Sequence, residues 1–249
     1  MLLDFDPTWS PDVKNITSGS HSRLSTFKLC KNRAKLAYVD RIPEPERALP
    51  AGKTEHPNVR GERVHTAAEK FVQGGVELVD ELKSFEVELV QMRELHKQGK
   101  VSLEGEWAYD KDWNPVSWQS YNVWMRIKCD AVVFMSPEHA VVIDYKTGKR
   151  FGNEVKHAEQ MQLYQLGAFL RYPKLKLVDV ELWYTDLDEL HPMRFRRDQG
   201  LRFAAKVESD MARMISEEVF PPNPSVYNCR WCPYKPTDKG GTGHWAVGV

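Results

Sequence analysis

Cysteine is scarce in this chain, with four residues among 249. A chain of this length can bury a core without covalent cross-links, so a secreted disulfide scaffold is not expected. We expect the protein to be in a reducing cytoplasm. Long apolar runs are also lacking. The run AVVI at 140–143 is the length of a strand, whereas a membrane span needs about 20 residues. We therefore expect a soluble protein with no membrane partner.

Neither charge is in excess, since Lys plus Arg and Asp plus Glu each number 35. A chain without net charge must bind any nucleic acid through local basic patches. The first residues, MLLDFDPTW, lack the basic start and apolar stretch of a signal peptide, so no export signal is expected. Internal repeats and low-complexity tracts are missing too.

Hydrophobic periodicity divides the chain into helices and strands. An irregular arm is predicted at 1–19, and a proline-rich connecting loop at 42–58. The predicted helices cover about 20–38, 61–73, 76–99, 153–172 and 199–217, and the predicted strands cover 101–110, 122–135, 139–148, 176–186 and 190–197. This order predicts an α/β fold with a mixed central β-sheet flanked by helices.

The triplet Asp144-Tyr145-Lys146 ends a predicted buried strand. Asp144 and Lys146 would share one face, at an edge of the sheet, while Tyr145 faces away. A hairpin through 136–139 would bring Asp130 beside Asp144, and two close carboxylates are tolerated where a divalent cation neutralises them. The pair predicts a Mg²⁺ or Mn²⁺ site for phosphodiester hydrolysis, with Lys146 positioning water or offsetting charge. Taken alone, the triplet also fits an ordinary ion pair at a strand end.

Five short motifs follow one another along the chain. They are SHSRLSTFKLC at 20–30, Gly61-Glu62-Arg63-Val64-His65, Asp130 in RIKCDAVVF, Asp144-Tyr145-Lys146, and Gln160-Met161-Gln162-Leu163-Tyr164. Together they resemble the RecB-like branch of the PD-(D/E)XK nuclease superfamily, which includes CRISPR-adaptation nucleases and phage exonucleases. The resemblance implies a restriction-endonuclease-like fold and one nuclease domain over 1–249. Its parts would be a mainly helical segment at 20–100, a catalytic α/β core at 101–220 and a Cys-containing tail at 221–249.

The resemblance also implies roles for individual residues. The catalytic residues would be His65, Asp130, Asp144 and Lys146, and the metal ligands would be His65, Asp130, Asp144 and the backbone carbonyl of Tyr145. DNA contacts are expected from Ser22, Arg23, Lys149, Gln160 and Tyr164. Gln160 and Tyr164 lie four apart on one helical face, so both could reach a single phosphate. Taken alone, the same spacing also fits an amphipathic helix with Tyr164 in the core. A lone histidine such as His65 is likewise more often packed or solvated than bound to a metal.

The segment CRWCPY at 229–234, together with Cys30, resembles three members of the four-cysteine iron–sulfur set of cluster-bearing relatives. No cysteine follows Cys232. Three interpretations stay open: a Cys30, Cys229, Cys232 and His244 zinc site, an iron–sulfur cluster, or a vestige without metal. In each, the tail is expected to pin the C-terminus to the first helix.

The leading hypothesis is a DNA exonuclease that acts on ends or single strands with little sequence specificity. Its compact form is similar to phage-encoded relatives, which act in the host cytoplasm. The alternatives are a structure-specific endonuclease or nickase, a non-catalytic DNA-binding assembly subunit with a degenerate nuclease fold, and a metal-bound interaction module built around CRWC. Four tryptophans, Trp107, Trp113, Trp118 and Trp124, suit either core packing or stacking on unpaired bases.

Overall fold

The computed structural model of the chain describes residues 14–46 and 49–244. The acidic first residues and most of the predicted N-terminal arm lie outside the described residues, as do the last five positions of the tail. Within the described ranges, no helix combines the length and the apolar character that crossing a bilayer requires.

The first helix begins at His21 because Ser20, in extended backbone, caps it: the Ser20 hydroxyl accepts a hydrogen bond from the amide of Arg23 at 3.2 Å. Cys30 is also extended, with φ −160°, and it separates two helices where one was predicted. The helices are α1 (His21–Leu29), α2 (Lys31–Tyr38), α3 (Pro57–Gln73), α4 (Glu86–Lys97), α5 (Glu154–Arg171), α6 (Arg197–Leu201), α7 (Phe203–Ile215) and α8 (Val226–Arg230), with 3₁₀ turns at Asp80–Phe85 and Thr237–Lys239.

In the described part of the chain, a six-stranded sheet lies between these helices, with strand order β2-β1-β3-β4-β5-β6. Its strands are β1 (Val101–Tyr109), β2 (Pro115–Val116), β3 (Met125–Ser136), β4 (His139–Lys146), β5 (Leu177–Tyr184) and β6 (Glu189–Arg196). Neighbouring strands are antiparallel except β4 and β5, which run parallel and are joined by α5 as a crossover. The predicted mixed sheet flanked by helices is confirmed.

Strand β4 carries the acid and lysine triplet and has neighbours on both sides. The expectation that the triplet lies at an edge of the sheet is therefore wrong: it lies at the end of an internal strand. The predicted hairpin between β3 and β4 is confirmed, with Ser136 paired to His139. Burial on both faces explains why β4 reads as a continuous apolar run.

Apolar side chains pack on both faces of the sheet. One cluster includes Phe27 of α1, Leu166 of α5 and Met211 of α7, and the other includes Val64 of α3 and Leu89 of α4. Fully burying a side chain of this size contributes roughly 1.5–3 kcal/mol. The two clusters fix α5 and α3 on opposite faces of β4, so side chains from both helices reach the end of that strand.

The helix ends differ from prediction in places. Helix α3 begins at Pro57 rather than 61, because proline is well suited to the first turn of a helix. The predicted helix over 76–99 starts as the 3₁₀ turn and becomes α-helical at Glu86. The last predicted helix is divided at Arg202 into α6 and α7.

Candidate active site

The ladder between β3 and β4 stops at the pair Ala131 and Ile143, although β4 continues beside β5 to Lys146. At this point the side chain of Asp130 replaces the backbone partner: its Oδ2 accepts a hydrogen bond from the amide of Tyr145 at 2.7 Å. The end of the ladder thus directs one carboxylate of β3 towards the last residues of β4.

Helix α3 brings His65 to this carboxylate. His65 Nδ1 donates to Asp130 Oδ1 at 2.9 Å, and the imidazole ring meets Tyr145 edge to face at 5.8 Å. With Nδ1 bound to a carboxylate, Nε2 is the ring nitrogen left to offer a lone pair to a ligand. Metal-bound histidines commonly have this arrangement, since a carboxylate on one nitrogen fixes the tautomer for the other.

Four side chains form a closed ring on the opposite face of β4. Lys146 Nζ donates to Gln160 Oε1 at 2.9 Å, and Gln160 Nε2 donates to the Tyr164 hydroxyl at 2.6 Å. That hydroxyl donates to Asp144 Oδ1 at 2.5 Å, and Asp144 Oδ2 lies 2.5 Å from Lys146 Nζ. The last contact is an ion pair without hydrogen-bond geometry, so Asp144 Oδ2 is a buried oxygen with no hydrogen bond from the described residues.

Burial and charge set the protonation of this group. Burial raises the pKa of Asp130, and the negative Asp144 adds to this, while the hydrogen bond from His65 opposes it. Burial lowers the pKa of His65, but the hydrogen bond to Asp130 and the charges of both acids outweigh it, so that pKa is raised overall. Burial and the Asp144 charge hold the pKa of Tyr164 well above its usual value, which keeps the phenol a donor.

The donor set fits a hard divalent cation. Mg²⁺ and Mn²⁺ prefer carboxylate oxygens, and imidazole is compatible with Mn²⁺. Asp144 Oδ2 is a buried carboxylate oxygen without a hydrogen bond from the described part of the chain. However, no three His, Cys, Asp or Glu side chains among the described residues already surround a common point, and Asp144 Oδ2 is in an ion pair with Lys146.

The predicted residues fall into two groups in space. His65, Asp130, Asp144, Lys146, Gln160 and Tyr164 meet as described, and Tyr145 lies between the two acids with its amide on Asp130. Gln160 and Tyr164 bind Lys146 and Asp144 here, rather than standing free on the helix. Lys149 lies apart, exposed in the loop after β4, where its carbonyl accepts a hydrogen bond from Asn153.

A cavity of about 240 Å³ adjoins this ring, and Ser22 and Arg23 line it together with Gln160 and Tyr164. Its lining also includes His21, Arg126 and Lys128, which were not predicted from the sequence, and Trp118, for which packing and stacking had both been left open. The alternation of Arg126, Lys128 and Asp130 along β3 was a usable signal, since residues two apart share a face of a strand. His157 was also missed; its Nδ1 lies 2.6 Å from the hydroxyl of Tyr184, beside the end of β4.

The tail cysteines meet the first helix. Cys30, Cys229 and Cys232 line one small cavity with Tyr234 and Arg33. Cys30 Sγ accepts from the amide of Asn223, and Cys229 Sγ from that of Ser225, each at 3.4 Å. His244 does not line this cavity; it is exposed and its Nδ1 lies 2.9 Å from the Thr242 hydroxyl. The structure therefore does not bring His244 to the cysteines as the zinc interpretation requires, because the tail turns back through Thr242.

Comparison with solved structures gives distant likenesses. An alkaline exonuclease from Laribacter hongkongensis is 13% identical, with a TM-score of 0.33 and coverage of 82% of this chain and 89% of that one. A protein from Eubacterium rectale, provisionally assigned as an exonuclease, is 14% identical, with a TM-score of 0.48 and coverage of 91% of each chain. No curated protein sequence matches the chain.

A sequence model of the PD-(D/E)XK nuclease superfamily matches residues 18–237. The matched region begins just before the first motif and ends just after the cysteine motif, and it includes β3, β4 and α5. Its sheet and helices accordingly form a restriction-endonuclease-like fold, and such a nuclease fold implies a nucleic acid substrate. Because this match covers most of the chain, including the strands that carry both acids and the lysine, the chain belongs to the PD-(D/E)XK nuclease superfamily.

Proposed function

We propose that the protein is a divalent-metal-dependent deoxyribonuclease of RecB-like type, which hydrolyses phosphodiester bonds from DNA ends with little sequence specificity. The observation that supports this most is the convergence of His65, Asp130, Asp144 and Lys146, which come from three elements, at the end of β4. An acid pair, an imidazole and an amine are the groups that phosphodiester hydrolysis uses, and here they lie in two pairs, His65 with Asp130 and Asp144 with Lys146.

The proposed ligands of Mg²⁺ or Mn²⁺ are His65 through Nε2, the two carboxylates and the backbone carbonyl of Tyr145. A bound ion would polarise a phosphoryl oxygen and make a bound water more acidic. Asp130 keeps lone pairs for this, since each of its oxygens accepts one hydrogen bond in the protein. The amide of Tyr145 fixes that carboxylate in place before any ligand arrives.

Lys146 is proposed to position the attacking water or to offset the charge that develops on phosphorus. Its Nζ is held by Asp144 on one side and by Gln160 on the other. Gln160 and Tyr164 then act first as positioning residues, because their polar atoms hold the lysine and the acid. Contact with a phosphate would follow once the lysine leaves the acid.

DNA is proposed to approach along Ser22, Arg23 and Lys149, which would bind phosphates without reading bases. The whole of 1–249 is proposed to act as one nuclease domain whose tail has a structural role. Of the three interpretations of the cysteines, the vestige without metal is favoured by the contacts of Cys30 and Cys229 with backbone amides and by the position of His244. Cytoplasmic action is part of the same proposal.

The test measures hydrolysis of end-labelled linear DNA with Mg²⁺, Mn²⁺ or a chelator. We expect cleavage with either ion and none with the chelator. Lys146→Ala should lower the rate by about a hundredfold or more, the usual effect of removing one group that stabilises the transition state. Lys174→Ala is the matched control, because Lys174 is exposed in the turn that precedes β5, at the opposite end of the sheet.

Equal cleavage by wild type and Lys146→Ala would overturn the proposed mechanism. A closed circular substrate separates the two catalytic alternatives, because an exonuclease leaves it intact and an endonuclease or nickase does not. The non-catalytic assembly subunit predicts DNA binding without cleavage under every condition. The retained ring of Asp144, Lys146, Gln160 and Tyr164 counts against it, since a dead site has no need to hold a buried acid beside a lysine.

A further inference from the structure

The cavity beside the ring of Asp144, Lys146, Gln160 and Tyr164 lies between α1, β3 and α5. Gly19 bridges to the start of β3: its amide donates to Trp124 O at 2.7 Å, and Arg126 N donates to Gly19 O at 2.8 Å. A Cβ at Gly19 would lie 2.2 Å from Met211 Sδ, so the backbone at Gly19 packs closely against the end of that side chain. The start of α1 is thereby fixed next to β3, and the space left between them and α5 is the cavity.

Two arginines of the cavity lining, Arg23 and Arg126, meet at a buried hydroxyl behind it. Ser18 Oγ accepts from Arg23 Nη1 at 2.6 Å and from Arg126 Nη1 at 3.0 Å, and Ser18 is fully buried. Lys128 adds a third cation to the lining, although its Nζ is also 2.8 Å from Glu104. None of the described residues that line the cavity is Asp or Glu. Such a wall attracts an anion such as a phosphate.

Trp118 supplies an aromatic surface in the same cavity. The Arg126 guanidinium fixes it, with Nε donating to the Trp118 carbonyl at 3.3 Å and Cζ 5.5 Å from the indole centroid. The other tryptophans of this region are used in packing: Trp107 is 2% exposed, and Trp113 and Trp124 meet edge to face at 5.0 Å. Trp118 is therefore the one of these four that lines the cavity.

We propose that this cavity binds one unpaired deoxynucleotide next to the bond to be cut, with its base on the Trp118 indole and its phosphate on Arg23 and Arg126. The proposal rests on the proposed nuclease function and deepens it: the preferred substrate is a single-stranded end. Stacking on an aromatic ring needs an open base face, which a base within a duplex does not offer, and it tolerates any base. Gln160 and Tyr164 line both this cavity and the catalytic ring, so a nucleotide held here lies beside Lys146.

The first measurement is equilibrium binding of a fluorescein-labelled oligothymidylate in chelator, where no cleavage occurs. Trp118→Ala should weaken binding by about 5- to 100-fold, the effect that loss of one stacked base has in other proteins. Trp118→Phe should retain most of the affinity, because it keeps an aromatic face. Tyr121→Ala is the matched control: Tyr121 follows in the same loop, is 89% exposed and does not line the cavity.

The second measurement compares competition by a blunt duplex and by a single strand of equal length. The single strand should compete at least about tenfold better with wild type, and Trp118→Ala should remove this preference. Wild-type affinity in Trp118→Ala, or equal competition by the duplex, would overturn the proposal even if the protein cuts DNA. If instead Trp118→Ala loses binding while wild type cuts nothing, the nucleotide site stands and the proposed nuclease function fails.

Discussion

Tyr164 shows how one hydroxyl connects structure to chemistry. It is 2% exposed, and it receives a hydrogen bond from Gln160 while giving one to Asp144. Since burial keeps the phenol protonated, Asp144 always faces a donor on Oδ1. The acid is therefore held at a fixed place on its own strand by a residue of the crossover helix.

Tyr164→Phe tests this role. The change keeps the packing of the aromatic side chain but removes the hydrogen-bond donor to the buried Asp144 carboxylate. Such a loss costs about 1–3 kcal/mol of free energy. If that loss falls on the transition state, the rate of DNA cleavage should fall about tenfold to a hundredfold. End-labelled DNA assays at saturating Mg²⁺ measure the rate, and urea unfolding measures the stability.

Tyr109→Phe is the matched control for Tyr164→Phe. The hydroxyl of Tyr109 is also buried and donates to the carbonyl of Gly167 at 2.7 Å, away from the acids. We expect a comparable loss of stability with an unchanged rate of cleavage. A Tyr164→Phe variant that cleaves as fast as wild type would refute the positioning role.

His21 makes stability depend on pH. Burial, followed by the positive charges of Lys156 and Lys146, lowers its pKa from 6.5 to about 4, and Glu159 opposes this. The unfolded chain then binds the proton more tightly than the folded one. The contribution of neutral His21 to the free energy of unfolding is therefore fully present above about pH 6.5. It is lost progressively as the pH falls towards 4.

His21→Gln removes this titration and keeps an N–H donor for the carbonyl of Lys156, which His21 Nε2 approaches at 3.1 Å. Between pH 7 and pH 5, the free energy of unfolding of wild type should fall by about 2 kcal/mol more than that of the variant. Urea unfolding without metal measures it. Between pH 7 and pH 8 the two proteins should change alike, and equal losses down to pH 5 would contradict the assignment.

Helix α5 is the element that assembles the site. It crosses from β4 to β5 and carries Gln160 and Tyr164 on the face that covers the sheet. Its approach to the sheet depends on Gly167, where an added Cβ would lie 2.7 Å from Ile127 Cδ1 and 3.0 Å from Trp107 Cε3. Gly167, one turn after Tyr164, thus sets the distance between α5 and the Asp144 and Lys146 side chains of β4.

Gly167→Ala should destabilise the protein although alanine is the better helix former by about 1 kcal/mol. Overpacking in a close contact costs about 1–3 kcal/mol, and moving α5 away from Asp144 should also slow cleavage. Gly75→Ala is the control, because its Cβ would meet only the carbonyl of Lys70 at 3.6 Å and the site is exposed. A stabilised Gly167→Ala protein would contradict the close packing described.

The elements differ in how well the sequence predicts them. The alternation around Tyr145 predicts that Asp144 and Lys146 share a face, and this is confirmed because strand geometry is local. The break at Cys30 was missed, since no proline or glycine marks it and the tail contacts that hold it come from residues near 223. The parallel pairing of β4 with β5 likewise depends on packing that no local pattern records.

At the scale of the whole molecule, the order of motifs predicts which residues meet, but not how. The contact of His65 with Asp130 joins residues 65 apart, and its geometry follows from α3 packing across the sheet. The ring of four side chains and the cavity with Trp118 require α5, β3 and α1 to be placed together. The sequence therefore predicts which side-chain types form the site, whereas their hydrogen-bond partners depend on how the fold places them.

The tail packs against the segment that follows α2. Tyr234 is 2% exposed, and its hydroxyl donates to the carbonyl of Ile42 at 3.2 Å. Tyr234→Ala should lower the free energy of unfolding by about 3–5 kcal/mol, as for other large buried aromatic side chains. Tyr227→Ala, in the same tail but 89% exposed, should change it little. Equal urea midpoints for both variants would show that the tail does not stabilise the fold.

The parallel pairing of β4 and β5 has a consequence during protein synthesis. His65, Asp130, Asp144 and Lys146 all leave the ribosome before Gln160 and Tyr164 do, and β5 follows later still. A nascent chain that ends before Gln160 therefore contains both acids, while it lacks the hydroxyl that binds Asp144 and the strand that pairs with β4. The capacity to cut nucleic acid should emerge only when translation has passed Tyr184.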